Sequence, residues 1–310
     1  MITENILIRS RYDEIDISGL ICSPDKNCEV KAVFQIAHGM CEHKERFLPF
    51  MEFLCDHGYI CVISDHRGHG GSVRNPEDLG YFYSGGASAL VDDLLNVNET
   101  LRERHPDLPV ILFGHSMGSL AVRSFTKKYD NLIDALIVCG SPSRNPAAGA
   151  GKMLTKMIAS FKGDRHRPDI IQKIAFESFN KNFTDEGRNA WLTHDREIVD
   201  AYNNDPLCSY QFTCNGFIGL FDLMQDTYSS EGWSVSKPDL PILFIAGSDD
   251  PCITSRKDFN NAVNHMRKAG YKDVSSHLYN GLRHEILNET DKKKVWNDIL
   301  THADSLFTAR

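Results

Sequence analysis

Short apolar runs that alternate with amphipathic segments constrain the fold of this chain more than any other feature of its sequence. Eight runs are rich in β-favouring residues, from "NILIR" near the start to "VSSHLYN" close to residue 280. Most segments between them, such as 89–104 and 257–269, have apolar residues at helical spacing. Near-continuous apolar strands that alternate with helices favour an α/β fold, in which helices cover both faces of a mostly parallel central sheet.

The alternation is interrupted once, between the sixth and the seventh run. From about residue 141 to residue 238 the sequence has no strong strand pattern, whereas helical patterns such as "KMLTKMIASF" and "FIGLFDLMQD" are present. We therefore predict a helical insertion at 141–238, and a core formed by residues 1–140 and 239–310.

The composition is that of an ordinary soluble globular protein, with 310 residues, 41% hydrophobic and 25% charged. The net charge of −8 provides no basic surplus for phosphates, which argues against a nucleic acid or an anionic membrane as partner. The sequence shows neither a signal peptide pattern nor an apolar run of the roughly 20 residues that span a bilayer. The nine scattered cysteines form no C-x-x-C pair, as expected for reduced thiols. We expect a cytoplasmic protein.

A serine lies where the fifth apolar run meets the helical pattern that follows it. Gly114, Ser116 and Gly118 give this segment the form G-x-S-x-G, which is the nucleophile elbow. The sharp turn from strand to helix strains the backbone of the middle residue and leaves no room for side chains two positions away. It also presents the serine oxygen near a helix N-terminus, where negative charge is favoured. The alternative is an ordinary turn with an inert serine, but the flanking strand and helix favour Ser116 as a nucleophile.

A serine nucleophile needs a base, and the base needs a group that orients it. Asp249 and Asp250 follow the apolar run 241–247, and His284 follows the last run. Both positions fall on the sheet edge that carries Ser116, in the chain order serine, acid, histidine. We predict Asp250 as the acid and His284 as the base, with Asp249 as the alternative acid that instead caps the loop.

Acyl transfer also requires donors for the oxyanion that forms on the carbonyl. The backbone N–H groups of Met117, next to the nucleophile, and of Met40, after the run "AVFQIA", are the predicted donors. Gly39 lets the backbone approach closely, and His115 lies inside the serine motif, where it is expected to support the loop. We assign both of these residues to the substrate pocket.

These motifs resemble those of α/β-hydrolases of the monoacylglycerol lipase and lysophospholipase group, which are related to the serine aminopeptidase-type hydrolases. The resemblance implies the α/β-hydrolase fold, the catalytic residues and donors named above, and a helical cap at 141–238. It also implies hydrolysis of a small ester or monoacyl lipid through an acyl-enzyme intermediate, without a metal or organic cofactor. The matching segments are 38–43 with Arg46, 65–70 with Ser72, 114–118, 204–207, 247–251 and 281–285.

Three polar segments have two interpretations each. The segment "DHRGHG" at 65–70 is either a metal site or, as we prefer, a loop that braces the floor of the site. Glu42, His43 and Arg46 either bind a polar head group or, as we prefer, form a network that fixes their loop. "GDRHRP" at 163–168 either contacts a phosphate or, as we prefer, is a solvated loop.

Two apolar stripes in the insertion, one containing Met157 and the other Phe217, have the spacing of helix faces. Each either lines an acyl tunnel or packs within the cap, and we assign Met157 and Phe217 to the pocket.

Two further functions compete with ester hydrolysis. A proline iminopeptidase-like aminopeptidase would use the same triad, and it needs a cap carboxylate for the substrate amine, for which Glu177, Asp185 and Glu186 are available. A catalytically silent binding protein on a hydrolase scaffold belongs to another class of function. The complete triad and both elbow glycines argue against it.

Overall fold

The core of the molecule is an eight-stranded sheet, in a computed structural model that describes residues 1–25 and 28–307. The strands are β1 (Ile2–Arg9), β2 (Asp16–Ser23), β3 (Ala32–Ala37), β4 (Tyr59–Ser64), β5 (Val110–His115), β6 (Ala135–Cys139), β7 (Ile242–Gly247) and β8 (Val274–Tyr279). Their order across the sheet is β1-β2-β4-β3-β5-β6-β7-β8. The pairings of β1 with β2 and of β2 with β4 are antiparallel, and those from β4 to β8 are parallel. The predicted α/β fold is confirmed.

Helices cover both faces of this sheet. They are α1 (Leu48–Asp56), α2 (Gly86–Arg104), α3 (Met117–Tyr129), α4 (Ala148–Lys162), α5 (Asp169–Phe176), α6 (Arg196–Asn204), α7 (Cys214–Thr227), α8 (Arg256–Ala269) and α9 (Lys292–Phe307). Apolar residues of α1 and α9 pack on one face, and those of α2, α3, α7 and α8 pack on the other. Since both faces are covered, every residue of β3, β4, β5 and β6 is buried, which explains why these strands are almost continuously apolar. None of the described helices has the length and apolar character of a membrane span.

Between β6 and β7 the described chain forms α4 to α7 and contains no strand. The inner helix of this region is α7, whose buried residues Phe217 and Leu223 belong to the main apolar cluster. α4 packs along α7 and carries Met153 and Phe161, which are 75% and 85% exposed. We propose that residues 141–238 form a cap on the sheet.

The order of the strands brings the predicted catalytic residues to one edge of the sheet. β5 to β8 are consecutive neighbours, and Ser116, Asp250 and His284 follow β5, β7 and β8. The loop that begins at His38 follows β3, which is parallel to β5 and pairs with it. Because the carboxyl ends of parallel strands meet at the same edge, four separate loops converge there.

Candidate active site

Ser116 lies in the abrupt turn between β5 and α3. Its backbone angles, φ 53° and ψ −119°, are unusual for a residue that carries a side chain. A Cβ atom on Gly114 would lie 2.5 Å from the carbonyl oxygen of Gly118, and one on Gly118 would lie 2.2 Å from that of Ala37. Neither position has room for a side chain, so both glycines are required by the close approach of the backbone. The strained turn expected from the motif is present.

Asp250 and His284 are joined by a hydrogen bond. The Nδ1 atom of His284 lies 2.9 Å from Oδ2 of Asp250, and both side chains are almost fully buried. The other oxygen, Oδ1, accepts a hydrogen bond of 2.8 Å from the backbone N–H of Cys252. Asp249 is exposed and accepts a hydrogen bond from the Ser248 hydroxyl. Of the two adjacent acids, Asp250 therefore has the position that an orienting carboxylate needs.

Ser116 and His284 open onto the same cavity, which has a volume of about 690 Å³. This volume is within the range of about 300–1,000 Å³ that is usual for small-molecule sites. Its walls are formed by loops at the sheet edge and by residues of the helical region above them. Apolar side chains on these walls include Leu154, Ile171, Phe179, Trp191, Leu220 and Phe221.

The loop after β3 approaches the serine closely. A Cβ atom on Gly39 would lie 2.5 Å from Oε1 of Glu42 and 3.1 Å from Cβ of Ser116, so a larger residue would crowd both side chains. Met40 and Met117 both line the cavity. The Met117 N–H is at the first position of α3, where backbone donors have no partner within the helix. The Met40 N–H donates to no other backbone or side-chain group in the described chain. Neither amide therefore has a partner among the described residues, as we expect of the two predicted oxyanion donors.

A buried charge network fixes this loop. Glu42 accepts hydrogen bonds from Arg46 at 2.8 Å and from Nδ1 of His115 at 3.0 Å. Arg46 also makes a bidentate ion pair with Glu285, the residue next to His284. Burial acts to raise the pKa of Glu42, but the hydrogen bond from His115 and the nearby charges outweigh it and lower that pKa. The network connects the loop after β3, the elbow and the loop that carries His284, as the preferred interpretation of Glu42 and Arg46 predicts.

His115 lies within this network and also lines the cavity. Burial acts to lower its pKa, but the carboxylate of Glu42 raises it overall. Its other ring nitrogen, Nε2, lies 3.4 Å from the carbonyl oxygen of His284. Both ring nitrogens therefore face acceptors, which favours the charged imidazolium. The prediction that His115 supports the loop agrees with these contacts.

The segment 65–70 braces the floor of the site. Asp65 accepts hydrogen bonds from the backbone N–H and the ammonium group of Lys44, both at 2.7 Å. The fully buried Arg67 is paired with Asp13 and Asp93. Burial lowers the pKa of His66 to about 4. These side chains are held by hydrogen bonds within the fold, as our preferred interpretation expects.

The segment 163–168 is exposed over its first three residues, as expected of a solvated loop, but two of its arginines also bind other parts of the chain. Arg165 forms an ion pair with Asp78, and Arg167 donates to the carbonyl oxygens of Gln211 and Leu79. These contacts hold the loop between α4 and α5 against residues 78–79 of the core and against Gln211.

Two predicted pocket residues require correction. Met157 is 55% exposed on the outer side of α4, while Leu154 and Gly151 of the same helix line the cavity. Phe217 is fully buried, with its ring against that of Phe212, and Phe221, one turn later, reaches the cavity. The stripes in the sequence identify apolar helix faces but not the neighbour that each face contacts.

Two residues beside the predicted base were not identified from the sequence. The ring of Trp191 lies 5.0 Å from that of His284, and both rings line the cavity. Cys252 lies with its Sγ atom 4.0 Å from Nε2 of His284. Trp191 follows a polar, turn-rich stretch and had no periodic pattern to mark it. Cys252 could have been noticed because it lies two residues after Asp250.

The chain matches the family described as "Serine aminopeptidase, S33" over residues 28–291. A monoacylglycerol lipase of Mycolicibacterium smegmatis is 26% identical over 306 residues, which cover 94% of this chain and 95% of that protein. The human monoglyceride lipase is 23% identical over 263 residues, covering 84% of this chain and 77% of the relative.

Two solved structures show the same fold along nearly the whole chain. A thermostable carboxyl esterase from Bacillus coagulans superposes with a TM-score of 0.89 at 24% identity, over 99% of this chain and 100% of that one. A monoglyceride lipase variant from Saccharomyces cerevisiae superposes with a TM-score of 0.73 at 20% identity, over 98% and 97% of the two chains. The chain therefore belongs to the serine aminopeptidase S33 family and has the α/β-hydrolase fold, like the monoacylglycerol lipases that it resembles.

Proposed function

We propose that the protein hydrolyses the ester bond of monoacyl lipids, such as monoacylglycerols or lysophospholipids, with Ser116 as nucleophile, His284 as base and Asp250 as the orienting acid. The observation that carries the proposal is that the strained serine and the paired histidine open onto one large cavity with mainly apolar walls. A single acyl chain offers the long apolar surface that such walls would bury.

The reaction proceeds in two acyl-transfer steps. His284 accepts the Ser116 hydroxyl proton at Nε2 while the serine oxygen bonds to the ester carbonyl carbon. The N–H groups of Met40 and Met117 hold the resulting oxyanion. Asp250 keeps the Nδ1 proton in place and stabilises the imidazolium. His284 then donates its proton to the leaving alcohol, the acyl group remains on the serine, and water releases the acid by the same sequence of steps.

The preference for monoacyl lipids has support from both the cavity and the relatives. Leu154, Ile171 and Phe221 are apolar residues that line the same cavity as the serine. Ile174, which is 69% exposed on α5, also lines the cavity and adds to its apolar surface. Proteins named monoacylglycerol or monoglyceride lipase from a mycobacterium and from human match most of the chain.

A substrate panel tests this function, with Ser116→Ala as the blank. The panel compares short and long p-nitrophenyl esters, a monoacylglycerol, a lysophospholipid and an N-terminal proline amide. We expect the highest kcat/KM for the long monoacyl lipids and background rates for Ser116→Ala, since no other residue replaces the nucleophile. Turnover of short esters alone would refute the lipid assignment, and substantial turnover by Ser116→Ala would refute the triad.

Aminopeptidase activity is the second candidate, and one side chain favours it. Among the three cap carboxylates considered from the sequence, Glu177 lines the cavity, whereas Glu186 is paired with Arg283. Glu177 is therefore the group that could hold a substrate amine. If the proline amide proves to be the preferred substrate, Glu177→Gln should raise its KM strongly while ester hydrolysis is unchanged. Equal effects on both substrates would exclude amine recognition at this position.

A further inference from the structure

Cys252 carries a thiol that lies beside the predicted general base. The proposed mechanism does not use this thiol. Its Sγ atom lies 4.0 Å from Nε2 of His284, the nitrogen that must accept the serine proton. Both side chains are buried in the protein and line the substrate cavity. The position of the cysteine is fixed by the short 3₁₀ helix Pro251–Ile253, which begins directly after Asp250.

The hydrogen bond between His284 and Asp250 prepares this histidine for metal binding as well as for catalysis. Because Asp250 accepts the Nδ1 proton, the lone pair of the neutral ring is at Nε2, which faces the cavity. A carboxylate on the far nitrogen is the usual companion of a histidine that binds zinc. The two remaining requirements are a second ligand within reach and access for the ion.

The distance between the two atoms suits one bridging ion. Zinc bonds to cysteine sulfur at about 2.3 Å and to histidine nitrogen at about 2.1 Å, so their 4.0 Å separation corresponds to an angle of about 130° at the metal. A movement of about 0.4 Å would bring the pair to tetrahedral geometry. Thiolate and imidazole together favour thiophilic divalent cations over Mg²⁺ or Ca²⁺.

We propose that Cys252 and His284 form a binding site for a thiophilic divalent cation, Zn²⁺ or Cd²⁺, which inhibits the enzyme. The ion bonds to Sγ and Nε2, the thiol proton passes to water, and cavity water completes the coordination without any change of oxidation state. An occupied Nε2 cannot accept the Ser116 proton. The inhibition rests on the proposed function, but the binding does not.

A second cluster of potential ligands, His43, Asp205 and Cys208, provides a control. Its histidine has no ring nitrogen to offer, since Nδ1 lies 2.6 Å from Glu45 and Nε2 lies 2.9 Å from Asp205. Cys208 also lines the cavity, so Cys208→Ser matches Cys252→Ser in chemistry and in location.

The experiment measures binding and inhibition separately. All proteins carry Cys28→Ser, because Cys28 is exposed and would bind metal unspecifically. Cd²⁺ is titrated into metal-free protein, and the cadmium–thiolate charge-transfer absorption in the ultraviolet reports binding. Inhibition by Cd²⁺ and Zn²⁺ is measured on a p-nitrophenyl ester, relative to each variant's own metal-free rate, and its reversal by EDTA is tested. Cys252→Ala repeats the measurements, and thermal unfolding checks that each variant is folded.

We expect the cadmium–thiolate absorption in the protein that carries only Cys28→Ser, and also when Ser116→Ala or Cys208→Ser is added. We expect this absorption to be lost in Cys252→Ser and in Cys252→Ala. The inhibitory concentration should rise at least about tenfold in the Cys252 variants. Absorption that persists without Cys252, or is lost with Cys208, would overturn the site. Binding without inhibition would overturn its inhibitory role. Because Ser116→Ala reports binding without turnover, a failure of the metal site is distinguishable from a failure of the proposed ester hydrolysis.

Discussion

Replacement of Asp250 by asparagine tests the proposed catalytic arrangement most directly. The two oxygens of Asp250 have different partners, the backbone N–H of Cys252 at 2.8 Å and Nδ1 of His284 at 2.9 Å. In Asp250→Asn the amide oxygen has to face the Cys252 N–H, because that group can only donate. The amide NH₂ then faces Nδ1 and donates to it. His284 is left with its proton on Nε2 and cannot accept the serine proton.

The size of the effect follows from this wrong tautomer. An equivalent replacement in a serine protease triad lowers kcat by about ten-thousandfold. At about 1.36 kcal/mol for each factor of ten, the loss corresponds to about 5.4 kcal/mol of transition-state stabilisation. The fold should tolerate the change, since the amide fills nearly the same volume and keeps a hydrogen bond to both neighbours.

Steady-state hydrolysis of a p-nitrophenyl ester measures the loss, and urea unfolding checks the fold. Asp249→Asn is the matched control, because the adjacent carboxylate is exposed and bonds only to Ser248 among the described side chains. We expect the control to keep nearly all of its activity. If Asp250→Asn retained more than about a tenth of kcat, the tautomer argument would be wrong. Loss of activity in Asp249→Asn instead would reassign the acid.

Two further predictions concern stability. Gly118→Ala would place a Cβ atom 2.2 Å from the carbonyl oxygen of Ala37, so we expect urea unfolding to show a loss of about 1–3 kcal/mol or more. Burial acts to lower the pKa of His43, but hydrogen bonds to Glu45 and Asp205 raise it overall. The pKa of His43 in the folded protein thus exceeds the value of about 6.5 in the unfolded chain. Its ion pairs therefore contribute their full stabilisation below about pH 6.5. The stability difference between wild type and His43→Gln should therefore shrink as the pH rises through the folded pKa.

Each stability prediction has a clear contrary result. Unchanged stability of Gly118→Ala would mean that the backbone at Gly118 can move away from the carbonyl oxygen of Ala37 without cost. A stability difference for His43→Gln that grows with pH would mean that the neutral imidazole, rather than the charged one, makes the stabilising contacts.

Local patterns in the sequence were sufficient to predict the strands of the sheet and the strained turn at Ser116. The two faces of β3 to β6 are both buried, so these strands had to be apolar and were visible as runs. The glycines at 114 and 118 are demanded by backbone contacts that any such turn creates, so the motif implied the strain at Ser116. Asp250 and His284 could be placed because the ends of parallel strands share an edge.

The helical region between β6 and β7 could be predicted only in outline. Its helices have apolar faces that a sequence pattern reveals, but the pattern does not state what each face contacts. On α4, Leu154 points to the cavity whereas Met157, less than one turn away, is exposed. Phe217 and Phe221 on α7 differ in the same manner, since only the second reaches the cavity.

The sequence by itself determined the class of fold, the nucleophile motif and the order of the catalytic candidates, because these depend on short-range periodicity and on steric limits within a few residues. The sequence favoured Asp250 over Asp249, but the two have the same chemistry, so only the tertiary structure shows that Asp250 contacts the histidine. It alone placed Cys252 at 4.0 Å from His284 and joined Glu42, Arg46 and Glu285 in one network. These contacts bring together residues from distant parts of the chain, and no local pattern encodes such a distance.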